Sequence, residues 1–137
     1  MNAMKQRVEE ARQHWNAGDL AGYLTLYDES IRLHGYTPEP MTKAAVAEFY
    51  QQIWSSFGAP LPLEFHETMV EGDLYCCRFT MKGQHNGSFM GRPATGRTVV
   101  LPGITMMRFF RERVVERWSS ADFLGLMVQI DAISAPS

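Results

Sequence analysis

An α+β domain is expected from this chain on three observations. Apolar residues recur at helical spacing as far as Phe57. From Leu61 onward the texture changes to long β-rich segments separated by short turn signals. Helical segments first and antiparallel strand segments later is the order of an α+β layer, not of alternating β and α units.

Met4, Val8, Ala11 and Trp15 share one face, so residues 2–17 are predicted as an amphipathic first helix. Asn16-Ala17-Gly18-Asp19 breaks it. Asp19 then caps a short second helix with Leu20, Tyr23, Leu24 and Tyr27 on one side. Ser30 to Tyr36 is a short strand, with Ile31 and Leu33 facing one way and Arg32, His34 and Tyr36 the other. Thr37-Pro38-Glu39-Pro40 is a loop. Thr42 caps a third helix carrying Val46, Phe49, Tyr50, Ile53, Trp54 and Phe57, and Gly58-Ala59-Pro60 ends it. Leu61–Val70, Leu74–Gly83, Arg97–Arg111 and Val114–Ser120 are the long strands. Glu71-Gly72-Asp73 is a turn and Glu112-Arg113 a hairpin tip. Phe123, Leu126, Met127 and Ile130 make one face of a terminal helix, and Ser134–Ser137 is a frayed tail. Three helices against one strongly curved, mostly antiparallel sheet close a cone around a pocket lined by both layers.

At 137 residues the chain forms one domain, residues 1–137 with an ordered core over about 3–131. A net charge of −2 with scattered Lys and Arg argues against a nucleic-acid partner. No apolar run reaches membrane-spanning length. The N-terminal segment enters an amphipathic helix without the apolar core of a signal peptide, which makes the cytoplasm the default. Cys76 and Cys77 are adjacent, so on a strand they point to opposite faces and read as apolar thiols rather than a disulfide. No Cys/His grouping has zinc-site spacing, and no metal or cofactor is expected. The sequon Asn86-Gly87-Ser88 is idle without a secretory signal. Gly91-Arg92-Pro93-Ala94-Thr95-Gly96-Arg97-Thr98 imitates a phosphate-binding loop. Arg97 stands where Lys is required, a strand follows instead of a helix, and Pro93 removes an amide, so it reads as a loop entering a strand.

A set of short motifs carries more. His34-Gly35, Glu71-Gly72-Asp73, Gly83-x-His85-x-Gly87, Gly91-x-Pro93-Ala94-Thr95-Gly96-Arg97 and Val114-Val115-Glu116-x-Trp118-x-x-x-Asp122 follow one another over nearly the whole chain. In this order they resemble the SnoaL-like polyketide cyclases of the nuclear transport factor 2-like superfamily. The resemblance implies the same helix-on-curved-sheet cone. It also implies that Asp122 is the acid/base of an intramolecular aldol ring closure on a hydrophobic carbonyl compound, with no metal.

Physically, a carboxylate beside Trp118 and Phe123 would be desolvated and a better acceptor of a carbon-bound proton. Asp122 also directly precedes the terminal helix, where Asp is favoured as an N-cap, and one residue can serve both ends. His85, flanked by glycines, is a second catalytic candidate, to hydrogen-bond a substrate carbonyl or pair with Asp122; the plain alternative is an exposed loop histidine. His34 and Tyr36 are substrate-binding candidates because a pocket needs a few polar groups amid apolar ones. Trp15 and Trp118, with Tyr23 and Trp54, can wall a pocket for a flat ligand or simply pack the core. Arg108 either pairs with an acid such as Glu116 on the neighbouring strand or binds an oxyanion.

The expected partners are a small hydrophobic or aromatic ligand and a second copy bound isologously through the sheet face. Three other readings share the fold. Epoxide hydrolysis by an Asp-Arg-Asp trio lacks its Arg-x-Asp, which occurs nowhere in the chain. A steroid-isomerase-like shuttle would draw on Tyr23 or Tyr27 and on Glu116. A non-catalytic ligand-binding or dimerisation domain needs none of these roles.

Overall fold

Side-chain caps fix where each helix begins. Asn2 accepts from the amides of Met4 and Lys5, Asp19 from Gly22, Thr42 from Ala45 and Asp122 from Gly125, each satisfying an amide that the first helical turn leaves unpaired. The computed structural model describes residues 2–58 and 61–135. In chain order these form α1 (Ala3–Asn16), α2 (Leu20–Leu24), β1 (Tyr27–His34), α3 (Lys43–Phe57), β2 (Leu63–Glu71), β3 (Leu74–Gln84), β4 (Thr98–Phe110), β5 (Arg113–Ala121) and α4 (Phe123–Gln129). The expected helix stop at Ala59-Pro60 and the end of the expected frayed tail, Pro136-Ser137, lie outside the described residues.

The five-stranded sheet has the order β1-β5-β4-β3-β2. All neighbours run antiparallel except β1 and β5, which are parallel. Register slips interrupt β2–β3 between Phe65 and Thr68, β4–β5 between Arg108 and Phe109, and β1–β5 between Tyr27 and Arg32. Slips of this kind bend and twist a strand, which curls the sheet toward the helices. One face is therefore apolar and covered. On β4, Val99, Leu101, Thr105, Met107 and Phe109 are buried while Val100, Pro102, Ile104, Met106 and Phe110 are exposed. The helices close the concave side, and Trp15, Tyr23, Tyr50 and Trp54 pack edge to face between the layers. The free edge of β4 beyond β5 is met by α4. The Gln129 side chain accepts from the Val100 amide at 2.7 Å and donates to the Val100 carbonyl at 2.8 Å.

Two boundaries differ from expectation. The second helix stops at Leu24, and β1 starts at Tyr27 rather than Ser30. Polar Asp28-Glu29-Ser30 hides the start of the strand, and the Val114 amide bonding to the Leu26 carbonyl at 2.8 Å anchors it. The β4–β5 tip is Arg111-Glu112, with φ of 50° and 66°, the left-handed pair of a two-residue hairpin turn. That frees Arg113 to begin β5.

Gly35 has a specific task. Its φ is +122°, and a Cβ there would lie 2.0 Å from the Ser119 carbonyl oxygen. The glycine breaks strand alternation, so His34 and Tyr36 do not share a face as expected. His34 sits beside Trp118, and Tyr36 turns into the cavity side. Gly35→Ala is expected to cost about 2 kcal/mol or more from backbone strain plus the clash. A lower denaturant midpoint at unchanged slope in equilibrium unfolding checks this.

Candidate functional site

One cavity lies between the helices and the sheet, and a second, open one lies at the rim where β4, β5 and α4 meet. The inner one is a hollow of about 50 Å³, walled by Trp15, Tyr50 and Ile53 from the helices and by Phe79, Leu101 and Met107 from the sheet. Its one charged lining residue among the described residues is Arg117 of β5, only 7% exposed. Arg117 Nε donates to Thr105 Oγ1 at 2.7 Å. Nη1 donates into a group of three phenols: Tyr23 at 3.0 Å, Tyr50 at 2.9 Å, and Tyr27. The phenols are bonded to one another, Tyr23 to Tyr27 at 3.0 Å and Tyr27 to Tyr50 at 2.8 Å. Burial pushes the Tyr27 and Tyr50 phenols well above their ordinary range, so they are neutral at neutral pH. Arginine does not give up its proton in a protein. Among the described residues no carboxylate pairs with Arg117, so its charge is met only by hydroxyl dipoles.

The outer cavity is an open groove of about 890 Å³, walled by Phe89, Pro102, Ile104 and Leu124, with Asp122 at its edge. The two cavities share Tyr36, Phe49 and Phe123. These rings touch in a triangle, with centroids 5.1, 5.4 and 6.3 Å apart. The Tyr36 hydroxyl is tied to Ser119 Oγ at 2.7 Å. The aromatic triangle is the partition between the apolar groove and the hollow that holds Arg117.

The structure disperses the residues singled out from the sequence. Asp122 is exposed and caps α4, with Oδ1 accepting from the Gly125 amide at 2.8 Å. Its other oxygen, Oδ2, has no protein partner among the described residues. The carboxylate therefore faces the groove rather than the enclosed hollow. Gly125 allows the close fit, since a Cβ there would lie 2.2 Å from Oδ2.

His85 is fully buried and lines neither cavity. Its Nδ1 meets the Thr95 amide and hydroxyl at 3.2 and 3.0 Å, and its ring packs on Phe57. Nε2 is buried without a partner. The glycines beside it serve a close approach to the end of α3, not to a ligand: the Asn86 and Gly87 amides bond to the Ser56 carbonyl, and a Cβ on Gly87 would lie 2.2 Å from the Ser55 carbonyl oxygen. His85 and Asp122 do not meet.

His34 bonds to Glu116 Oε2 at 2.8 Å and stacks on Trp118, so all three belong to the outer face of the sheet. Arg108 makes an ion pair, but with Asp73 at 2.9 Å rather than Glu116, which is held by His34. Trp15 and Tyr36 do line the hollow, and Trp15 Nε1 donates to the Leu61 carbonyl at 2.7 Å. Arg117 was not among the expected site residues. The signal is strand parity. Taking Trp118 as an inward wall puts Arg117 outside, and the observed parity is the reverse. Among the described residues no group of three or more His, Cys, Asp or Glu is placed to hold a metal ion, and no helix is long and apolar enough to cross a membrane.

A curved five-stranded sheet roofed by helices over an apolar cavity is the architecture of the nuclear transport factor 2-like class. The chain belongs to the SnoaL-like polyketide cyclase family, whose sequence model matches residues 5–130. Solved structures agree on the architecture. AclR from Streptomyces galilaeus, described as a candidate hydroxylase, is 25% identical with a TM-score of 0.88, over 98% of this chain and 84% of that one. TsrD from Streptomyces laurentii is 24% identical with a TM-score of 0.82, over 96% of each chain. IdmH from Streptomyces antibioticus, described as a candidate polyketide cyclase, is 23% identical with a TM-score of 0.78, over 93% of this chain and 98% of that one. No curated protein matches the sequence.

Burial, with the charge of Arg92 second, holds the His85 imidazolium below its ordinary pKa. The unfolded chain then binds the proton that the folded chain refuses. Stability is full above the unfolded value of about 6.5 and falls as pH drops through and below it. His85→Gln is expected to flatten that decline, which chemical denaturation at pH 7.5 and 5.5 measures.

Proposed function

We propose that this protein is an acid/base enzyme acting on an apolar carbonyl compound, by aldol-type ring closure or a related carbon-acid step that uses no metal. The observation that supports it is Asp122 Oδ2, a carboxylate oxygen without a protein partner among the described residues, at the edge of an apolar groove. In the proposed step the carboxylate takes a proton from a carbon next to a carbonyl. The electron pair left behind attacks a second carbonyl of the same molecule, forming a carbon–carbon bond. The resulting alkoxide recovers the proton from the Asp122 carboxylic acid, so the enzyme ends as it began. Conjugation in the substrate spreads the enolate charge, and the aromatic walls fix the flat body so that the two reacting carbons meet. Membership of the family and the descriptions of its structural relatives support the same substrate class.

A second reading has its own observation. Asp122 is exposed and engaged in capping α4, and His85 lies apart from it. That arrangement suits a domain that binds a hydrophobic ligand without changing it. Asp122→Asn separates the two, because Asn caps a helix about as well as Asp and the fold should survive. Exchange of the α-protons of 2-tetralone in D₂O, followed by NMR, is expected to be enzyme-accelerated and to fall about 100-fold or more in the variant. Equal exchange in both proteins, or none above background in either, leaves the binding reading in its place.

The outer face of the sheet fits a second copy. Met69 opposes Cys76, Cys76 opposes Met106, and Met106 opposes Trp118, an apolar row across four strands with no helix over it among the described residues. Met69 is 66% exposed and Met106 37%. An isologous dimer would cover this row with its own copy. Wild-type protein is expected to sediment as a dimer at micromolar concentration, and Met69→Glu with Met106→Glu as a monomer of unchanged circular dichroism.

A further inference from the structure

The chemistry assigned to Asp122 makes no use of Arg117, the most costly group in the molecule to bury. A lone cation taken out of water costs several kcal/mol unless an opposite charge or a full set of acceptors meets it. Here no carboxylate does so among the described residues, and the Tyr27 and Tyr50 phenols that accept from Nη1 are neutral. Arg117 Nη2 has no protein acceptor among the described residues, and the residue lines the hollow. The cluster is also rich in donors. Arginine has five N–H groups and no acceptor, and each phenol adds an O–H. Tyr23 and Tyr50, which line the hollow with Arg117, can turn those hydroxyls toward an incoming oxygen.

Resting on the ligand pocket of the proposed function, we propose that the natural ligand is an elongated, apolar carboxylic acid whose carboxylate seats on Arg117, Tyr23 and Tyr50, while its body passes the Tyr36–Phe49–Phe123 partition into the groove beside Asp122. Size supports this division. The inner hollow, at about 50 Å³, admits a head group or a few waters but not a ring system. The groove, at about 890 Å³, takes the rest. From Arg117 to Asp122 along β5 is roughly 16 Å at strand rise, which sets the scale of the ligand. A carboxylate supplies the missing counter-charge in a water-poor site, where charge-assisted hydrogen bonds are strong.

Calorimetric titration of the whole protein at pH 7 with biphenyl-4-carboxylate and with its neutral isostere biphenyl-4-carboxamide tests the assignment. Wild type is expected to bind the acid at least tenfold more tightly than the amide. Arg117→Met should erase that preference, losing tenfold or more for the acid while holding the amide. Should Arg117→Met fail to fold, Tyr50→Phe removes one donor and is expected to weaken the acid about threefold and spare the amide. Equal affinity for both probes in wild type, no binding of either, or a preference that these substitutions leave undiminished overturns the proposal. Its fate is separable from that of Asp122. Loss of α-proton exchange in Asp122→Asn with no acid preference defeats only the anchor. An Arg117-dependent preference with unchanged exchange in Asp122→Asn defeats only the acid/base role.

Discussion

The interior is organised by the hydrogen bonds of one buried guanidinium. Arg117 leaves β5 and reaches Thr105 on β4, Tyr23 on α2, Tyr27 on β1 and Tyr50 on α3. Those contacts cross from the sheet to the helices that roof it. Packing alone would favour collapse of the two layers onto each other, because apolar side chains gain from every contact they close. A cation that must keep its hydroxyl partners resists that collapse, and a small hollow persists next to it. The four aromatic residues Trp15, Tyr23, Tyr27 and Tyr50 then stack edge to face around this fixed point.

The second constraint is the aromatic triangle. Tyr36, Phe49 and Phe123 come from the loop after β1, from α3 and from the start of α4. None belongs to the rigid centre of the sheet. Tyr36 is held by a hydrogen bond to Ser119, and burial raises its phenol pKa. The polar work of the domain is thus divided. A cation sits behind the rings, and a carboxylate sits in front of them, at a position fixed by its own helix cap.

The architecture was legible because it depends on periodicity. Apolar residues at helical spacing marked α1 and α3, and short turn signals marked off the long strands that follow. The strand ends were less legible at β1, where Asp28-Glu29-Ser30 masks a segment that pairs parallel with β5. The site was harder to read for a physical reason. Parity along β5 cannot be fixed from the strand alone when both of its faces carry bulky residues. Trp118 is the natural candidate for the interior, yet the backbone buries Arg117 and leaves Trp118 to stack on His34. Gly35 hid a second reversal, placing Tyr36 in the cavity and His34 outside it. Glycines beside His85 suggested room for a ligand, but the close neighbour proved to be the end of α3. Asp122 was found at the end of the last strand, as its position in the chain implied, with its cap geometry turning it to the groove.

The pairing of Gln129 with Val100 has a consequence for how the molecule behaves in a crowd. Where β5 ends, the first residues of β4, before Gly103, would present bare amides and carbonyls, a template on which a stray strand from another molecule could grow. A single primary amide from α4 occupies both valences of Val100 and mimics the strand that is missing. The terminal helix thereby acts as a stopper on sheet growth, and its loss would favour fibre-like association over simple unfolding.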